Sequence, residues 1–182
     1  GDPALDDLNA HTLSEIDKRT KGFTGREWLV KRLAVWLHDP KGAAARVIVG
    51  DPGAGKSAAV MHLMKNQPNP GLLDDGRGDC IIAVRHVCDY QYADSLDVTL
   101  FVKSAVWQLS QSVPGFKEAL LEDFNKDRVE KVDSVAGLLQ HICDGNGRAF
   151  EDFILTPLND SRVTAAMASK ARRGGIVDAF DE

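Results

Sequence analysis

Apolar residues recur at helical spacing along much of the chain, and each periodic stretch is bounded by polar or turn-forming residues. The first follows the capping-box sequence Thr24–Glu27 and stops at Asp39-Pro40, so we predict a helix over about residues 25–38. The same pattern predicts further helices downstream. They cover about residues 56–65, 98–111, 115–126, 134–143, 148–156 and 160–171.

Three short apolar runs have the β-branched character of buried strands instead. They are Arg46–Val49, about residues 80–87, and Gly175–Phe180 at the end of the sequence. Strands that alternate with helices indicate a parallel sheet, because parallel neighbours must be joined by crossover connections. We therefore expect an α/β fold.

Composition and charge limit the class of protein. The 182 residues are 43% hydrophobic and 27% charged, which fits one domain, here 22–182, behind a polar leader or upstream linker, 1–21. No apolar run approaches the roughly 20 residues that cross a bilayer, so we expect no membrane span. A net charge of −5 argues against general nucleic-acid binding. The three cysteines are sparse and form no C-x-x-C pair, which indicates a reduced, intracellular and cytoplasmic protein.

The most informative motif is Gly50-Asp51-Pro52-Gly53-Ala54-Gly55-Lys56-Ser57, which matches the phosphate-loop pattern G-x-x-x-x-G-K-[ST]. Its glycines let backbone amides wrap a phosphate that side chains would obstruct. Lys56 would place its ammonium against the β- and γ-phosphates, and the Ser57 hydroxyl would ligate Mg²⁺. A helix that begins near Gly55 would add the positive end of its dipole. The motif predicts binding of a nucleoside triphosphate.

The acidic end of the sequence suits the magnesium side of such a site. Asp178 follows the apolar pair Ile176-Val177, and a carboxylate at the end of a strand can hold Mg²⁺ beside the Ser57 hydroxyl. A second acid three or four residues later can orient or deprotonate the attacking water. Asp181 and Glu182 stand at those two positions.

Phe23–Glu27, the phosphate loop and Asp178–Glu182 together resemble the STAND-class NTPases of the NACHT type. The similarity covers about residues 22–182 and is closest to the modules found in front of ankyrin or tetratricopeptide repeats, including nephrocystin-3-like proteins. It implies a three-layer P-loop NTPase, with helices on both faces of a parallel sheet. It also implies that this chain is the N-terminal part of that domain and ends at the Walker B motif.

The resemblance further implies a switch in which ADP holds a closed state and ATP an open, oligomerising one. Its partners would be a nucleoside triphosphate, further copies of the chain, and downstream repeat domains. ATP or ADP with Mg²⁺ would be the cofactors. The phosphates would lie on Gly50, Gly53, Gly55 and Lys56, and Mg²⁺ would be held by Ser57 and Asp178. The water-activating acid would be Asp181 or, by preference, Glu182. The adenine would lie by Phe23, Thr24 and Arg26.

Two alternatives remain open from the sequence. One is a nucleotide-gated scaffold that binds ATP without appreciable hydrolysis, since we expect slow turnover from a chain without the arginine and sensor groups that stabilise the transition state. The other, less favoured, is a GTP-specific switch. Its base-reading motif Asn-Lys-x-Asp has its nearest match in Asn125–Arg128, where the last residue is wrong.

Overall fold

A computed structural model describes residues 3–25, 28–29, 32, 35–36, 39, 41, 45, 47–65, 82–143, 145 and 147–172. The chain divides into two compact units. The first is formed by Gly1–Asn9 with Ala83–Glu182, and the second by Ala10–Ile82.

The elements of the described residues are helical. The α-helices are α1 (Pro3–Thr20), α2 (Lys56–Lys65), α3 (Val98–Ser112), α4 (Phe116–Asn125), α5 (Val135–Leu139), α6 (Thr156–Leu158) and α7 (Ser161–Arg172). A 3₁₀ turn at Ala93–Leu96 precedes α3, and a π-helical stretch at Glu151–Leu155 leads into α6. Within these ranges, none of the helices has both the length and the hydrophobicity that crossing a bilayer requires.

Most of the predicted helices are confirmed. The bounds of α2, α3, α4 and α7 agree with the sequence pattern to within one or two residues, whereas α5 is shorter than predicted. The described residues between Trp28 and Trp36 are helical as expected. The polar segment that the sequence indicated as a leader forms α1.

The predicted fold class is wrong. No strand occurs among the residues that the structure describes, which contradicts the α/β, three-layer P-loop NTPase architecture with its parallel sheet. Val47 and Val49 are both exposed, so the side of the first predicted strand that carries them is not covered. The described part of the second, residues 82–87, is not a strand, and Gly175–Phe180 lies outside the described residues.

Side chains of α3 form hydrogen bonds with the backbone of the second predicted strand, in the place where a neighbouring strand would form them. The Arg85 amide donates to Oε1 of Gln108 at 2.8 Å, and Nε2 of Gln108 donates to the Arg85 carbonyl at 3.0 Å. The Ser112 hydroxyl, one turn further along α3, donates to the Ala83 carbonyl at 3.3 Å. Because backbone polar groups away from water need partners, these bonds fix the extended segment 82–89 on α3.

The core of the first unit is built around another face of the same helix, and Ala83 and Val84 pack against it. Val102, Val106 and Leu109 of α3 are buried at helical spacing, so one face of α3 is apolar. The other elements contribute their own apolar faces to the cluster. Its members include Leu5, Phe116, Ala119, Leu120, Val135, Leu138, Leu139, Ile142, Ala149, Phe153, Ile154 and Val163.

Asp160 fixes the start of α7. Its carboxylate accepts the Arg162 amide at 2.8 Å, and the Arg162 guanidinium also donates to it. Those bonds lower the pKa of Asp160 to about 2, because they stabilise the charged carboxylate. Arg162 also pairs with Glu122 of α4, so one guanidinium links the two helices.

The second unit contains the later part of α1 together with α2. Lys65 Nζ lies 2.9 Å from Oδ1 of Asp17, and the rings of Phe23 and His62 are centred 5.0 Å apart. Ala59, Met61 and Leu63 of α2 are buried. Contacts at both the middle and the end of α2 therefore hold the helix that follows the phosphate loop.

We expect Gln108→Ala to lower the free energy of unfolding by about 1–3 kcal/mol, because it removes the two hydrogen bonds from the Gln108 side chain to the Arg85 backbone. Urea denaturation measures the effect. Gln111→Ala is the matched control, since the Gln111 side chain is exposed on the same helix and bonds its neighbour Ser110. We expect the control to change stability by less than about 0.5 kcal/mol. Equal losses in the two variants would show that the Gln108 clamp contributes nothing.

Candidate phosphate-binding site

The Gly50–Ser57 loop connects the extended residues 47–49 to α2, and all of its residues are described. The Ala54 amide donates to the Asp51 carbonyl at 3.1 Å and closes a tight turn. Gly53 and Gly55 have φ angles of +78° and +77°, in the left-handed region that side chains disfavour. Two of the three glycines of the motif, Gly53 and Gly55, therefore stand where the backbone requires glycine.

Lys56 folds back over this turn. Its Nζ donates to the Gly50 carbonyl at 2.7 Å and to the Asp51 carbonyl at 2.9 Å. The ammonium is thus held against the start of the loop by two neutral acceptors. The positive charge of Lys56 therefore lies beside backbone whose glycines carry no side chains.

The start of α2 supplies further donors. The Ala59 amide donates to the Gly55 carbonyl at 3.0 Å, so the first helical bond is made there. The amides of Lys56, Ser57 and Ala58 belong to the first turn, in which N–H groups have no acceptor inside their own helix. The positive end of the dipole of this ten-residue helix points the same way. The Ser57 side chain is exposed on that turn.

The space that a side chain would have at Gly50 and at Gly53 distinguishes the roles of these two glycines. A Cβ at Gly50 would meet Cβ of Ala54 at 3.5 Å and the Lys56 side chain at 3.8 Å, both ordinary contacts. A Cβ at Gly53 would meet no atom within 4 Å. Gly53 is needed for its backbone angle alone, and the loop beside it opens outward. An ammonium, a helix start and an open glycine turn are the groups that a phosphate requires, so these residues fit one.

The remaining predicted site residues divide into two groups. Phe23 is half-buried against His62 of α2, and Thr24 is exposed just after it. Arg26, Asp178, Asp181 and Glu182 lie outside the described residues. The structure thus brings Phe23 to the helix that the loop precedes, through a contact with His62 that no spacing in the sequence indicates.

The sequence that resembles a guanine-reading motif has a structural role instead. Both polar atoms of the Asn125 side chain bind the Val132 backbone, with Nδ2 at 2.7 Å from the carbonyl and Oδ1 at 2.8 Å from the amide. The Arg128 guanidinium lies 3.9 Å above the ring of Phe124. These bonds close the loop after α4, so the Asn125 amide is not available to read a base.

The structure shows no protein metal centre in the part of the chain that it describes. No group of three or more His, Cys, Asp or Glu side chains is placed to hold an ion there. Nε2 of His86 lies 2.8 Å from the Ser95 carbonyl oxygen, and Cys88 is a free, exposed thiol. The β-branched run about residues 80–87 predicts a buried strand thiol at Cys88, and the exposure of Cys88 shows that this prediction is wrong.

Comparison with known proteins yields one family. The model of the family described as Nephrocystin 3, N-terminal, matches residues 24–152, which include the phosphate loop and most of the helices of the first unit. No curated protein and no solved structure matches the chain.

We expect Gly53→Ala to lower the free energy of unfolding by about 1–2 kcal/mol, because a side chain there must adopt a left-handed backbone. Gly50→Ala is the paired variant. Its Cβ has room and its φ lies outside the left-handed region, so the change should stay within about 0.5 kcal/mol. Urea denaturation of both variants checks this. Equal stabilities would mean that the loop does not hold Gly53 in the observed conformation.

Proposed function

The chain belongs to the nephrocystin 3 N-terminal family, and on that premise we propose that it is the nucleotide-binding module of a signalling switch of the STAND/NACHT type. The observation that carries the proposal is the position of Lys56. Its ammonium is held against a glycine turn at the start of a helix. The proposal depends on the loop and α2 and requires no sheet.

Lys56 would bind the phosphates by exchanging its bonds to the loop carbonyls for bonds to phosphate oxygens. In the structure its ammonium bonds two carbonyl oxygens, which are neutral acceptors. A phosphate oxygen adds the attraction between opposite charges to the hydrogen bond, so it competes well for the same donor. The amides of the first turn of α2 would hold the phosphate from the other side.

Ser57 would hold the metal side of the site. Its exposed hydroxyl, one residue after Lys56, is an oxygen ligand of the type that Mg²⁺ prefers. We propose Asp178 as the second protein ligand. The cation, when bound, neutralises phosphate charge that Lys56 alone leaves uncompensated.

We infer ATP rather than GTP as the ligand. The Asn125 amide, which belongs to the nearest match to a guanine-reading motif, is bound to the Val132 backbone. Phe23, Thr24 and Arg26 are proposed to lie by the adenine. The pairing of Phe23 with His62 of α2 supports this, because it ties that segment to the helix that follows the loop.

Nucleotide binding would act as a switch through α2. When Lys56 leaves the Gly50 and Asp51 carbonyls, the loop and the start of α2 must adjust. The ion pair between Lys65 and Asp17 connects the other end of α2 to α1. We propose that this movement controls self-association or the exposure of downstream repeat domains.

We expect Mg·ATP at 100 times its Kd to raise the free energy of unfolding by about 2.7 kcal/mol. Lys56→Ala should abolish that stabilisation, because it removes the cation from the loop. Denaturant titrations with and without nucleotide measure it. Lys65→Ala, on the same helix, is the matched control and should keep the full effect, since its ammonium pairs with Asp17. Full stabilisation in Lys56→Ala would remove the proposed site.

Hydrolysis is a separate prediction. We expect slow phosphate release from Mg·ATP, and Glu182→Gln should abolish it while leaving ATP binding unchanged, because the amide cannot accept a proton from water. A phosphate-release assay beside a binding titration distinguishes the two. Glu130→Gln, at an exposed glutamate, is the control. Tight binding with no release from the unaltered chain would favour the nucleotide-gated scaffold.

A further inference from the structure

The turn that precedes α3 presents large apolar side chains to solvent. Tyr90 is 85% exposed, Leu96 is 54% exposed and Val98 is 73% exposed. All three lie within the nine residues from Tyr90 to Val98, which fold back on themselves between the extended segment 82–89 and α3. We call Asp89–Val98 the acidic turn.

This turn is held firmly from inside by a buried serine. Ser95 is 1% exposed, and its hydroxyl accepts the Asp89 amide at 2.8 Å while lying 2.7 Å from the Tyr92 carbonyl. Nε2 of His86 lies 2.8 Å from the Ser95 carbonyl. Because these bonds fix the backbone beside Tyr90 and Leu96, their side chains are presented at little further cost in conformational entropy.

Along the chain, the turn itself carries charge of one sign. Residues 86–102 contain Asp89, Asp94 and Asp97 and neither lysine nor arginine. Partial burial raises the pKa of Tyr92, and the carboxylates of Asp94 and Asp7 raise it further, so Asp7 also lies close to the turn. Apolar side chains surrounded by polar ones are the common arrangement of a protein interface.

The negative charge of the acidic turn also indicates which kind of partner would bind there. A second copy placed with its own acidic turn against this one would bring like charges together, and an anionic membrane or a nucleic acid would meet the same repulsion. A segment with lysine or arginine beside apolar residues would complement both features. We propose that the acidic turn docks a basic, apolar segment of a partner protein, a function separate from nucleotide binding.

The probe is a labelled synthetic peptide of about 18 residues, built from leucine and lysine in an amphipathic helical order. We expect the full chain to bind it, as measured by fluorescence anisotropy, with an affinity that falls as salt rises. A peptide of the same length with glutamate in place of lysine should not bind. Failure of the chain to bind the lysine peptide would overturn the proposal.

Variants locate the binding. We expect Leu96→Ser/Val98→Ser to weaken it by roughly tenfold or more, and Asp94→Asn to reduce its salt dependence. Tyr90→Ser, at the most exposed of the three positions, tests the same surface with the least effect on folding. Val129→Ser is the control, because Val129 is 99% exposed outside the turn.

Three outcomes would overturn the proposal. The first is equal binding by Leu96→Ser/Val98→Ser, Tyr90→Ser and the control. The second is self-association in sedimentation experiments that Leu96→Ser/Val98→Ser abolishes, which would assign the turn to a second copy. The third is binding to vesicles of phosphatidylcholine and phosphatidylserine that the same variant removes, which would assign it to a membrane.

Discussion

The packing of α3 is the constraint on which the rest of the first unit depends. One face of this helix places Val102, Val106 and Leu109 in the core, and burying each such side chain contributes about 1.5–3 kcal/mol. A second face carries Gln108, which holds the segment 82–89. Asp97, which caps α3 by accepting the Leu100 amide, lies in the acidic turn. A change in the position of α3 would therefore move the core, the extended segment and the proposed docking surface together.

The candidate phosphate site depends on a much smaller set of constraints. Two left-handed glycines and one lysine define its shape, and α2 supplies the helix start. These features come from neighbouring residues in the chain, so they form without a surrounding sheet. This locality explains why the loop matches the motif while the wider architecture differs from the expected one.

The sequence predicted the helices and the loop well because both are encoded locally. It missed α1 because three of its buried positions are polar: Thr12, Glu15 and Thr20 are buried along with Leu5, Leu8 and Ile16. Hydrogen bonds from Arg19 and Lys18 hold the pKa of Glu15 below its usual value, so the carboxylate stays charged there. The strand prediction failed for a different reason. β-branched runs favour an extended backbone. Residues distant in the sequence decide whether that backbone forms hydrogen bonds with another strand or with the Gln108 amide.

The π-helical stretch at Glu151–Leu155 also sets the register between distant helices. The Thr156 amide donates to the Glu151 carbonyl five residues back, so this stretch accommodates one residue more than an α-helix would. Deleting a residue here would rotate everything that follows by roughly 100° about the helix axis. Such a rotation would carry Arg162 away from Glu122 and turn Val163 out of the core. Packing therefore constrains the chain length between α5 and α7 independently of which side chains fill it.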